Sequence, residues 1–455
     1  MRSCSLAEHA DTVADICKAL KAAAGAPVHV DKGGVHHVVP IPGDKRHRSG
    51  RVDISALSRV VRIDAEARTC VAEPGVTFAE LVAETLPLGL MPAVVPELEG
   101  ITVGGAVAGC SLESLSYIYG GFHDTCVEYE VISGTGEVIT LSREERPDLF
   151  EMVHGSYGTL GIVSLVTFRL IPALPFVRME YRHCGTFAEF EAALRAATTA
   201  TAAGADPGVM PVFVDAIVFG PDHLVLCLGH MVDSAPYVSD YRRDGIYYRS
   251  VAERAQDYLG TTDYLFRYDT ECHWLSRTVP PLEWRPVRRL LGRWFLGSTN
   301  LIRWSRRLDR ILGMRRRPDV VCDVFVPGAR FAEFFDWYEA VFDFWPLWVV
   351  PYRMPQPYRW IDPDHATGLA SGLAIDCAVY GKRNNRRDVD YSALLESETH
   401  RLGGIKTLIG RNHYSREDFW RIYNRDAYDA AKSELDPDAA FDDLYDKFVN
   451  DHPAT

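Results

Sequence analysis

The residue types best suited to chemistry crowd between Pro96 and Gly121, PELEGITVGGAVAGCSLESLSYIYGG, where glycines and other small residues alternate with hydroxyls. Without a Cβ, Gly104 and Gly105, and then Gly109 and Gly120, let a phosphate approach backbone N–H groups. Pro96 opens the stretch, Thr102, Ser111 and Ser114 add hydroxyl donors, and Val103 and Cys110 lie between them. In composition this is a diphosphate cradle, with a close packing junction of small residues as the alternative. A second cluster, Gly155 to Ile162, contains Gly158 and Gly161 and runs into the apolar stretch 163–170. A glycine turn feeding a strand leaves main-chain donors at its edge, where a flat ring can be held. Neither cluster has the G-x-G-x-x-G spacing, and no G-x-x-x-x-G-K-[ST] loop is present, which argues against Rossmann and P-loop folds.

Proton-handling candidates are spread along the chain. His413 and Tyr414 follow Arg411 and Asn412, while Glu113 and His123 flank the run SYIYGGF. Asp215 and Asp376 sit inside apolar strands, where an unpaired carboxylate is costly, so each is paired, protonated or functional. The ten cysteines are scattered singly, without a C-x-x-C pair or zinc spacing, and no metal site is expected. Phe344, Trp345, Trp348, Tyr352 and Trp360 form one aromatic group, and Tyr264, Phe266 and Tyr268 another. Aromatics at this density make either a core or the wall of a tunnel for a long hydrocarbon.

The segments PGVTFAELVAETLPLGL, PELEGITVGG, YGGF and GTLGI resemble the FAD-binding half of the vanillyl-alcohol-oxidase-type flavoproteins. ESLSYIYGGF, DVFVP, WPLWVVPYRMP and SREDFW narrow the similarity to the Δ24-sterol reductases and their bacterial relatives that reduce methylene-branched fatty acyl chains. The resemblance runs from about Pro40 to the end of the chain and implies an α+β fold: a two-subdomain FAD-binding PCMH-type domain plus an α+β cap, or substrate, domain. It implies that the loop carrying Arg46, His47, Arg48 and Ser49 grips the FAD diphosphate together with the two glycine clusters, Gly161 and Ile162 included. Covalent-flavin members use a His or Cys in these loops, here His47 or Cys110, but the narrower family implies non-covalent FAD. The implied reaction reduces an isolated C=C bond of a lipid, a methylene-branched fatty acyl chain or a sterol-like side chain, with NADPH as electron donor. Such an alkene has no carbonyl to accept charge, so a protein acid must protonate one carbon while the flavin delivers hydride to the other. His413 and Tyr414 are the first choices for that acid, with Glu113 as an alternative that could instead contact the flavin. An oxidase or dehydrogenase of an alcohol or sugar-lipid, and a lipid-binding protein with an idle flavin site, remain as other readings.

These residues need a scaffold, and 455 residues suffice for two or three domains with proper cores. Residues 5–24 read as an amphipathic helix, PVHVDKG as a strand and CVEYEVISGTGEVITLS as a hairpin. Pro172 and Pro175 mark the end of a first domain, 1–175. The strand-like VRMEYRH, VFVDAIVFG, LVLCLGHMV, VCDVFVP and LAIDCAVYG build a cap over 176–404, and by resemblance 405–455 returns to the flavin domain. A net charge of -13 argues against nucleic-acid binding. Glu8 and Asp11 stand where a signal peptide would be basic, and no apolar run reaches spanning length, so a reduced, cytoplasmic chain is expected. This departs from the N-terminal anchor that the resemblance to sterol reductases implies. One insertion, 285–318, interleaves arginines, among them Arg288, Arg289, Arg306 and Arg307, with Trp, Leu and Ile and contains a single acid, Asp309. That pattern predicts an interfacial helix pair docking on anionic lipid at the inner face of the membrane. The alternative is packing on the acidic body of its own or a second subunit.

Overall fold

The computed structural model describes residues 6–23, 27–34, 39, 41, 50–202, 210–278, 283–304 and 317–448. Two antiparallel sheets organise the molecule, and helices cover them in an α+β arrangement. The first is centred on Ile162–Pro172, an eleven-residue strand whose inward positions are apolar except for Ser164. It pairs with Thr69–Ala72 on one side and Cys126–Ile132 on the other, and its end takes Leu90–Pro92. Val60–Asp64 and Val138–Ser142 complete the sheet. The helix Phe78–Thr85 packs here, held at its start by reciprocal Thr77 and Glu80 hydrogen bonds. A small parallel pair, Val28–Asp31 with Gly50–Asp53, sits under the amphipathic helix Leu6–Ala22.

Four residues after Pro172 the chain enters the second sheet at Phe176. Its eight strands run in the order Gln256–Gly260, Phe176–Cys184, His223–Val232, Val212–Gly220, Leu347–Tyr352, Ala374–Lys382, Val320–Pro327 and Ile405–Lys406, all antiparallel. Both faces are buried, which is why VFVDAIVFG and LWVVPY read as nearly continuous apolar runs. The outer face packs Val349, Ile375, Cys377 and Val324 against Phe190, Phe331, Phe334 and Leu395 of the covering helices. The inner face packs Phe213, Trp348, Val350, Tyr352, Ala374 and Tyr380 into the core shared with the first sheet. Beyond Lys406 the tail lies against the first domain, where Lys432 Nζ donates to the Thr159 carbonyl (2.7 Å) and Lys447 Nζ to that of Tyr157 (2.9 Å). Among the described residues no helix is long and apolar enough to cross a membrane.

Candidate cofactor and active site

Thr102 caps the short helix Val103–Ala108, its Oγ1 accepting from Gly105 N. The same hydroxyl accepts from Lys32 Nζ at 3.3 Å, from the end of the parallel strand pair. Burial without a described anionic partner depresses the Lys32 ammonium to about 8. Gly105 is exposed on this side, and a Cβ there would stand 3.2 Å from Thr102 Oγ1 and 3.8 Å from Lys32 Nζ. Gly158, in the left-handed region at φ +71°, faces Val30 two residues before Lys32. The two glycine clusters therefore converge on one strand, further tied by Tyr157 N donating to the Ala108 carbonyl (3.2 Å). A bare backbone with an unneutralised cation fits a diphosphate. Lys32 was not among the residues anticipated from sequence, since a lone lysine ending a short strand carries no local signal. Arg46, His47, Arg48 and Ser49 lie outside the described residues.

From Gly109 and Cys110 a cavity opens toward the inner face of the cap sheet. Leu112, His123, Gly155 and Tyr157 line the side of the first domain; Phe325, Tyr352, Ala374 and Lys406 line the other; Tyr358, Trp360 and Tyr423 close it. Cys110 and Tyr157 both adopt left-handed backbone, at φ 53° and 49°, a conformation that side chains resist and that the surrounding packing must hold. Burial keeps the Cys110 thiol protonated, its pKa well above the ordinary value. His123 is buried, its pKa pushed down, and its ring packs against His154 and Tyr358.

Two carboxyl groups stand on the inner face of the cap sheet, two strands or roughly 10 Å apart. Asp215 accepts from Arg267 Nη2 (3.0 Å), Tyr268 OH (2.7 Å) and Trp348 Nε1 (2.9 Å). Arg267 also reaches Glu113 (2.8 Å) and lies between the rings of Tyr264 and Tyr268. Asp376, opposite Phe325 and Val350 in register, is 4% exposed, and its Oδ1 has no hydrogen-bond partner among the described residues. Around it are Asp323, which accepts from Tyr380 OH (2.8 Å), and Glu97, 3.3 Å from His273 Nε2. Burial raises Asp323 to about 6 and Glu97 to about 7, the latter against the opposing charge of Arg267, and raises Asp376 far above the usual carboxyl range, with the charges of Asp323 and Glu97 adding to the effect there. His273, also left-handed at φ 63°, is driven by burial to about 3 and contributes no positive charge near neutrality. Glu97 comes from the loop before the cradle and the aspartates from the cap sheet, so the cluster bridges the two domains.

The other anticipated residues distribute as follows. His413 and Tyr414 lie outside the cavity lining, His413 N donating to Glu396 (3.0 Å) and the Tyr414 ring packing on Phe419. Glu113, raised to about 7 mainly by burial, belongs with Arg267, and Ser114 Oγ contacts Tyr264 OH (3.1 Å). Val103 is core, and Pro96 is buried. A Cβ on Gly104 would strike Pro74 at 2.6 Å, on Gly120 the Asp124 carboxylate and on Gly161 Val131 at 2.8 Å, so these glycines permit close packing. Ile162 joins the core beneath the N-terminal helix, and Ser111 O accepts from Phe122 N (2.9 Å). Among the described residues no group of side chains could hold a metal ion.

The family model described as an FAD binding domain matches residues 5–142. Delta(24)-sterol reductase of Homo sapiens is 24% identical over 403 residues, covering 86% of this chain and 76% of the relative. The Arabidopsis thaliana protein of the same name is 24% identical over 444 residues, covering 89% and 77%. Cytokinin dehydrogenase 2 of Oryza sativa subsp. japonica is 28% identical over 210 residues, 43% of this chain and 37% of the relative. The first glycine cluster and the capped helix thus lie inside the matched domain, and the similarity continues through the cap: the chain carries an FAD-binding domain and is similar over most of its length to the Delta(24)-sterol reductases.

Proposed function

We propose that this protein is an FAD-dependent oxidoreductase that reduces an isolated C=C bond of a lipid, with FAD held non-covalently and NADPH as the donor. The names of the relatives favour a sterol-like side chain, and a methylene-branched fatty acyl chain suits the same cavity. One observation carries the reading: an aromatic, apolar cavity leads from the cradle to the inner face of the cap sheet, where its lining residues Phe325 and Ala374 flank Asp376, whose buried Oδ1 has no hydrogen-bond partner among the described residues. Bound FAD would supply hydride. Phe325, Tyr352 and Trp360 would orient the alkene and exclude water, leaving the chain to provide the proton. An efficient acid has a pKa near the ambient pH and holds its proton until needed. Asp323, raised to about 6, and Glu97, raised to about 7, meet that condition, and Asp376 beside them is raised well above the ordinary carboxyl value and holds its proton, whereas burial pushes the cavity tyrosines Tyr157, Tyr352 and Tyr423 upward and makes them weaker acids. His413 and Tyr414 would take the role only if the tail moved toward the cavity.

The test is anaerobic. Protein reduced by NADPH is mixed with a desmosterol-like sterol alkene, a methylene-branched acyl lipid or neither, and flavin reoxidation is followed by absorbance. Reoxidation by an alkene with little response to oxygen is expected. Rapid oxygen consumption with an alcohol would replace the reading with that of an oxidase.

A further inference from the structure

The helix Arg285–Phe295 buries one of its arginines and exposes apolar side chains beside the others. A helix on a protein surface ordinarily buries its apolar stripe and exposes its charges. Here Arg288, anticipated as a lipid-facing cation, is 3% exposed and reaches Glu271 and the Tyr241 carbonyl, both at 2.6 Å, while Leu290 is 74% and Trp294 60% exposed. The ion pair with Glu271 fixes which way the helix faces, so the exposure of Leu290 and Trp294 is imposed by the fold. A second helical stretch, 298–304, extends the same patch: Trp304 stacks on Phe295 (5.3 Å between centroids) and donates to the Trp294 carbonyl (3.3 Å). Trp284, 63% exposed, precedes the helix. Arg285 and Arg289 share one acid, Asp244, and Arg303 is exposed beside Trp304.

We propose that this patch docks on an anionic bilayer surface, the tryptophans and Leu290 entering the headgroup boundary and the arginines meeting lipid phosphates. Tryptophan favours the membrane interface because its ring is apolar and its N–H is polar, and guanidinium binds phosphate in bidentate fashion. Charge decides between a bilayer and a second copy of the chain. The segment 285–318 holds eleven arginines and one acid in a protein of net charge -13. A two-fold dimer through this patch would set the basic surface against itself, where like charges repel. The inference does not depend on the proposed reaction, and its test uses no turnover.

The full-length protein is sedimented with phosphatidylcholine vesicles with or without phosphatidylglycerol, and its self-association is followed by sedimentation velocity. Wild type should bind the anionic vesicles, less as salt rises. Leu290→Ser with Trp294→Ser should weaken binding about tenfold or more, because two exposed apolar side chains lose their burial in lipid. Arg289→Gln and Arg303→Gln should each cost about fivefold. Flavin content and thermal midpoint serve as fold controls, and retention of both makes the losses attributable to the patch. Equal co-sedimentation of wild type and the Leu290/Trp294 variant would overturn the proposal, as would equal binding to neutral and anionic vesicles. A wild-type dimer that the same variant dissociates, with no vesicle binding by either, would assign the patch to a second copy.

Discussion

Asp215 and Asp376 occupy equivalent places, the middle of an apolar strand on the inner face of one sheet, and the protein treats them in opposite ways. Around Asp215 the fold gathers a guanidinium, a phenol and an indole N–H. Around Asp376 it gathers two further carboxyls, Asp323 and Glu97, with a neutral imidazole, and the Arg267 charge is felt by Glu97 but pairs with Asp215 and Glu113 instead. The first arrangement pairs buried charge through Asp215 Oδ2, which takes all three bonds while Oδ1 has no partner among the described residues, and holds the structure together. The second prevents all its members from ionising together, so a proton stays in the core near neutrality. Lys32 is buried without a described anionic partner as well, its ammonium depressed to about 8.

If this contrast is sound, removing the centre of the satisfied cluster should do the greatest harm. Arg267→Met leaves Glu113 and Asp215 buried together without a cation and should cost about 3–5 kcal/mol, measured by urea unfolding. A loss below about 1 kcal/mol would mean that Tyr268 and Trp348 satisfy Asp215 by themselves. Asp376→Asn should do the reverse, keeping the thermal midpoint and NADPH-driven flavin reduction while slowing reoxidation by the alkene about a hundredfold or more. Its difference infrared spectrum against wild type should contain the C=O band of a protonated carboxyl; without that band Asp376 is ionised and the contrast fails. For the cradle, Lys32→Met should weaken FAD binding about tenfold to a hundredfold, read from released-flavin fluorescence, since a charge-assisted contact is lost. Gly105→Val should purify without flavin.

The smallest effect concerns pH. His9 bridges Glu73 (2.9 Å) and Glu130 (3.0 Å); burial opposes its protonation, but the hydrogen bonds to Glu130 and Glu73 prevail and raise it to about 9. Its stabilisation is complete below the ordinary value of 6.5 and is lost as pH rises through about 9. After solvent screening it should amount to at most about 2 kcal/mol. Glu97 and Asp323 act lower: raised from 4.5 and 3.8 to about 7 and 6, they hold stability in acid that is lost as pH rises across that interval. His9→Gln should therefore remove the upper limb of the melting-temperature profile and keep the lower. An unchanged upper limb would assign it to other groups.

By itself the sequence determined whatever depends on local chemistry. The two glycine clusters were legible because close backbone approach needs missing Cβ atoms wherever it occurs, and Pro172 with Pro175 marked the passage between the sheets because proline cannot continue a ladder. The amphipathic first helix, the hairpin and the basic insertion were legible from periodicity and composition in the same way. Tertiary structure alone decided the rest. Glu97, Asp323 and Asp376 are brought together by strand register and by the contact of two domains, which no short window of sequence encodes. Lys32 became a cradle residue only when its strand met Thr102. Asp215 and Asp376 look alike in their strands, and only the arrival of Arg267 beside one of them separates a structural carboxylate from a proton store. Composition foretold a basic apolar surface over 285–318, of which the structure describes 285–304 and 317–318, but not that Arg288 would turn inward, because one buried glutamate, Glu271, decided which face of the helix meets the solvent.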